Sequence, residues 1–165
     1  LGFGSQTLAW LSDTATAANT FLKGSVPPEV EETFDGTVKS NVTIKNTGTA
    51  PAYIRVALIP VWRDADLTTN SGLAADGTYM ITLRVGAGAD EWTEEGGYYY
   101  YNSPVPAGGS TGVLVDECTV KSQLGAAYNG KTFELQVIAS SLQSEGWDST
   151  VTNAQQAFAA AKAET

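Results

Sequence analysis

An all-β fold, a jelly-roll-like β-sandwich with a short C-terminal helix or tail, is what this sequence predicts. Three observations predict it. Apolar and polar residues alternate along several short runs, the period of a half-buried strand. Turn signals separate the runs: Asn46 to Pro51, Asp76-Gly77 and Asn129-Gly130. The composition agrees, with 17 Gly and only 16% charged residues among 165, and 10% aromatic residues, too many for a disordered chain.

The first element is the apolar tetrad Leu8-Ala9-Trp10-Leu11, followed by a polar spacer, Ser12 to Thr20, and a lone Phe21. In an extended chain Leu8 and Trp10 share one face, while Phe3 and Leu11 share the other. Chain ends fray unless tied down. Either Leu1 to Ala9 is the trailing end of an export signal whose charged region lies upstream, or the segment has a groove to occupy. That groove belongs to its own molecule or to another. Residues 1–22 are therefore read as an apolar segment and linker, 23–151 as the sandwich, and 152–165 as a short helical tail.

Along the sandwich, Val38, Val42 and Ile44 alternate with Lys39, Asn41, Thr43 and Lys45, which predicts a strand with the lysines outward. Ala52 to Trp62 reads as a long strand with Ile54, Val56, Leu58 and Trp62 on one face. Ile59 and Val61 make the other face apolar too, so the strand is expected to be covered twice. Pro60 predicts an edge or bulge. Arg63 to Ala75 reads as a loop. Strands follow at Thr78 to Val85, Tyr98 to Tyr101 and Val113 to Val120, and another carries Phe133, Leu135 and Val137 on one face. Thr152 to Glu164 lacks Gly and Pro and is rich in Ala, and Thr152 or Asn153 suits a helix N-cap. Phe158 is the only large apolar side chain there, so the helix is expected to dock weakly or hang as a tail.

A net charge of −9 argues against nucleic acid and anionic membrane as partners. No apolar run reaches the length of a membrane span. The single cysteine, Cys118, permits no internal disulfide and reads as a buried thiol on a strand. Histidine is absent. Gly108-Gly109-Ser110-Thr111-Gly112 matches a nucleophile-elbow pattern literally, but no histidine exists to take the hydroxyl proton, and the stretch reads as a glycine-rich turn. Asp64, Asp66 and Asn70 loosely resemble an oxygen-rich cation loop without the glycine and distal glutamate of an EF-hand. Asp90, Glu91, Glu94 and Glu95 surround Trp92, and read as a solvated acidic loop. Trp92 with Tyr98, Tyr99, Tyr100 and Tyr101 forms a candidate surface-binding loop for carbohydrate, or a strand covered on both faces.

Three stretches carry a resemblance. Ala9-Trp10-Leu11-Ser12-Asp13 with Asn19-Thr20-Phe21 and Gly24, then Val38 to Leu58 with Asn46-Thr47-Gly48-Thr49, then Leu135 to Ser149, resemble the TasA/camelysin family of exported Gram-positive proteins. The stretch from Arg63 to Val120 does not align with that pattern. The resemblance implies a secreted jelly-roll domain of the cell surface or biofilm matrix. It also implies a non-enzymatic structural subunit that polymerises head-to-tail, its N-terminal strand completing the next subunit. Phe3, Leu8, Trp10, Leu11 and Phe21 are the donor candidates. The implied partners are identical subunits, with other matrix proteins or polysaccharide, and no cofactor. Some members are labelled metalloproteases, and without histidine that activity does not carry over. The alternative is a secreted, monomeric carbohydrate- or surface-binding sandwich.

Overall fold

The computed structural model describes residues 28–34 and 38–163. Eight antiparallel strands form two four-stranded sheets, an all-β sandwich with one short helix. The strands are β1 (Glu29–Phe34), β2 (Val38–Lys45), β3 (Ala52–Arg63), β4 (Tyr79–Leu83), β5 (Trp92–Glu95), β6 (Tyr98–Tyr101), β7 (Val115–Val120) and β8 (Thr132–Gln143). The first sheet runs β1-β2-β7-β4 and the second β5-β6-β3-β8. Val42, Ile44 and Val115 from the first sheet meet Ile54, Val56, Val137 and Ala139 from the second, all fully buried.

Lys39 departs from the expected alternation. It is buried at 4% exposure, and Val38 is only half-buried. The cause is Asn41, which sits at φ 54 in the left-handed region. Beside it the β1–β2 register shifts from Glu31↔Thr43 to Thr33↔Ser40, so Asn41 and Val42 together face Glu32. An extra residue of this kind is a β-bulge, and it flips the inward parity of the strand. Asn is among the few residues that tolerate this conformation. The β4–β7 register shifts at the same level, between Thr82↔Glu117 and Leu83↔Val115. That second shift sets Val115 and Cys118, rather than a strict alternation, on the inner face.

In the second sheet, β3 and β8 pair along their whole length, from Ala52↔Gln143 to Arg63↔Thr132. Pro60 lies within this ladder without breaking it. Ala52 bonds Val105 on the side away from β8, and Trp62 accepts from Ser71 on that side. Even-numbered β3 residues therefore point away from β8, and the missing N–H of Pro60 falls where β6 has already ended. Asn46 organises the turn before β3. Its side-chain amide donates to Ala50 O (2.8 Å) and Val105 O (2.9 Å), and its oxygen accepts from Gly48 N.

The helix α1 (Ala154–Ala163) is a packed layer rather than a weakly held tail. Ala154, Ala157 and Ala161 are almost fully buried beside Phe158, and they let the helix approach the outer face of the second sheet closely. The Arg55 guanidinium lies over the Tyr98 ring at 4.0 Å and over the Phe158 ring at 4.4 Å, so the cation is held between two π faces. Tyr53, Tyr100 and Leu142 complete this second core. Asn153 caps the helix, its oxygen accepting from Gln156 N at 2.9 Å, and the Gln156 oxygen accepts from Thr152 N at 2.6 Å.

Two outcomes test this account. Asn41→Val forces a β-branched side chain into the left-handed region and is expected to cost about 1–3 kcal/mol. Asn41→Gly should leave the urea midpoint nearly unchanged. Phe158→Ala is expected to cost about 2–4 kcal/mol and to raise amide exchange across α1 before the sandwich unfolds.

Candidate functional site

The donor candidates Phe3, Leu8, Trp10, Leu11 and Phe21 all lie outside the described residues. The aromatic candidates are described, and the structure buries Trp92, Tyr100 and Tyr101 and half-buries Tyr98 and Tyr99. Trp92 is a core residue with no exposed surface, its ring 5.0 Å from Tyr101 and its Nε1 donating to Gly112 O at 3.2 Å. Burying a ring of this size is worth roughly 5 kcal/mol before ordering entropy is counted. The four tyrosines alternate. Tyr99 and Tyr101 pack on the main core, while Tyr98 and Tyr100 lie on the opposite face beneath α1. The strand covered on both faces is therefore the arrangement present, and Trp92 offers no ring to a sugar.

The acidic groups disperse. Asp64 pairs with Lys131 at 2.8 Å, Asp66 accepts from Thr68 N and Thr69 N, and Asn70 accepts from Gly72 N. The hydrogen bonds from Thr69 hold the Asp66 carboxyl at about 2. Glu91 accepts from Gly88 N, and Glu94 and Glu95 are exposed. Among the described residues no three His, Cys, Asp or Glu side chains gather as a metal site. Ser110 Oγ donates to Glu31 at 2.7 Å, and Thr111 bonds Ile44 N, so the glycine-rich turn staples itself to β2. A shallow open groove of about 370 Å3 lies between the end of β5 and the start of α1, lined by Glu95, Asn153, Gln155, Gln156 and Ala159.

A polar seam not foreseen from the sequence joins the two sheets. Among the described residues β1 is the last strand of the first sheet and β8 of the second, and the two strands approach each other on one side. Lys39 crosses from β2 between them. Its Nζ donates to Leu135 O at 2.9 Å and pairs with Glu32 Oε2 at 3.0 Å, with side-chain exposures of 5% and 14%. Burial lowers the Lys39 pKa, against the opposing pull of Glu32. Only the turn-former Asn41 in mid-strand signals, in hindsight, that Lys39 turns inward.

The carbonyl that Lys39 takes has a defined direction. Ser144 N bonds Pro51 O in the register of the β3–β8 ladder, so even-numbered residues of β8 point toward β3. Odd-numbered residues point away from it. Leu135 O accepts Lys39 on that outer side, and Gln143 O accepts Trp147 Nε1 at 2.7 Å. Between these two bonds stand Val137, Ala139 and Ser141, whose side chains face the core.

No helix among the described residues is long and apolar enough to cross a membrane. No protein-family model matches this chain, and neither a curated protein nor a solved structure matches it.

Cys118 lies opposite Lys39 in the ladder and is buried at 4% exposure. Burial raises its thiol from 9.0 to about 11. The unfolded chain loses this proton first, so the thiol's contribution to stability is intact below pH 9 and is lost as pH climbs toward 11. A shift of this size corresponds to roughly 2–3 kcal/mol. Urea midpoints measured at pH 8 and pH 11 should fall further for the natural chain than for Cys118→Ala.

Proposed function

We propose that this chain is a structural subunit of an extracellular filament of a biofilm matrix or cell surface. It polymerises head-to-tail, the N-terminal segment of one copy adding a strand to the next. The observation that carries this reading is the apolar stretch Leu8-Ala9-Trp10-Leu11 ahead of the sandwich. An extended segment that adds to a sheet gains affinity from main-chain bonds and register from alternate side chains. Leu8 and Trp10 supply such alternation on a segment that precedes the sandwich. Donation from one copy to the next is heterologous, so it builds open fibres rather than closed dimers. The net charge of −9 opposes unspecific clumping of the same subunits.

A carbohydrate-binding module is the second reading, favoured by the amide-lined groove at Asn153, Gln155 and Gln156. The two readings separate by electron microscopy and glycan arrays. The filament reading gives fibres from the full chain under negative stain. Deleting Leu1 to Leu11 should abolish the fibres and leave a folded monomer. Fibres that survive the deletion refute strand donation. Single particles with a glycan signal lost in Gln155→Ala support the module.

A further inference from the structure

We propose that Lys39 and Glu32 condense into a side-chain amide, a covalent link between β1 and β2. This inference goes beyond the filament reading and stands without it. It begins from the bulge. Asn41 turns Lys39 inward, and Phe34↔Lys39 pairing then makes Glu32 its diagonal neighbour on the same face. The two side chains meet with Nζ 3.0 Å from Oε2, both largely withdrawn from water. Oε2 is buried, and among the described residues it accepts no hydrogen bond of ordinary geometry, close as the lysine is. The other contact of Nζ is a neutral carbonyl, Leu135 O at 2.9 Å.

Burial disfavours the charged form of both partners. Desolvation is the largest influence on Lys39, and it lowers the lysine pKa. A proton passed from Nζ to the carboxylate leaves a neutral amine against a neutral acid, a nucleophile with its electrophile in place. The Nζ lone pair adds to Cδ of Glu32, forming the N–C bond. A C–O bond of the carboxyl then breaks. The oxygen leaves as water, taking the acid's proton and one from Nζ, so no other reactant is consumed. The amide nitrogen keeps one proton, and Leu135 O is placed to accept it. Glu32 is the more exposed partner, which gives the water a way out on that side. The product carries none of the charge that burial penalises. Cys118 of β7 and Glu134 of β8 also act on Lys39 by charge. Glu134 is engaged by Arg63 at 2.9 Å, so Glu32 is the carboxyl that reaches Nζ. Among the described residues β1 has β2 as its one sheet neighbour, and a strand held on one side opens early. The amide ties that strand down.

Mass spectrometry tests the link on the folded, full-length protein. The expected intact mass is one water below that of the sequence. Trypsin cuts after lysines with a free amine, and Lys23, Lys39 and Lys45 fall in this stretch. An amide at Lys39 blocks the cut there, so a dehydrated fragment 24–45 is expected in place of 24–39 and 40–45. Tandem fragmentation of that peptide should give no products from breaks between Glu32 and Lys39, which assigns the partner without any variant. Glu32→Ala, checked for folding by circular dichroism, should restore the full mass and the cut after Lys39. Full mass with Lys39 cleaved in the natural chain overturns the link. Dehydration with Lys39 still cleaved places the loss elsewhere, as in a succinimide at Asp35-Gly36, and overturns it too. Dehydration that persists in folded Glu32→Ala overturns Glu32 as the partner.

Discussion

The ladder between β3 and β8 is the constraint from which the other contacts follow. It is the longest pairing among the described residues, and its strands are apolar on both faces. A two-sided strand of this kind cannot stand at a sandwich surface with one face in water. Its inner face, with Ile54, Val56, Val137 and Ala139, takes the first sheet. Its outer face, with Tyr53 and Leu142, takes α1. The helix is thus part of the same solution as the sheets, and the hairpin of β5 and β6 extends the covered surface on both sides. Where the outer face is polar, Glu134 is buried against Arg63 at 2.9 Å rather than left to water.

The seam adds a different kind of contact. Apolar packing between two sheets tolerates small sliding because it has little directionality. A hydrogen bond from Lys39 to one carbonyl does not. The burial that depresses the lysine pKa is a cost, and Glu32 offsets part of it. What the molecule gains is a fixed relation between β2 of one sheet and β8 of the other.

Most of the fold was legible because it is written in local alternation. The strands other than β1 and β5, their turns, the two-sided character of Ala52 to Trp62 and the capped helix follow from residue periodicity and from turn chemistry, whereas β5 read as an acidic loop. Lys39 was not legible, because a single left-handed residue reverses the parity that periodicity assumes. The packing of α1 was hidden for another reason. Its apolar content is one phenylalanine among alanines, and its anchor is a distant arginine whose partners are π faces rather than carboxylates. The acidic aromatic loop looked like a surface because its charges are local, whereas the burial of Trp92 depends on Tyr101 of β6 and on Gly112 in the loop before β7. Of the candidate site, the leading apolar segment was visible at once, while the bond from Lys39 to Leu135 arises only when β2 and β8 are brought to the same side.

The stack of Tyr98, Arg55 and Phe158 has a consequence for acid conditions. The attraction of a guanidinium to two π faces needs no carboxylate partner. The 18 carboxylates do titrate, and they set the mutual repulsion of the copies. Acidification therefore discharges the surface while leaving the seat of the helix untouched. Copies of the chain lose their reasons to stay apart before they lose their shape.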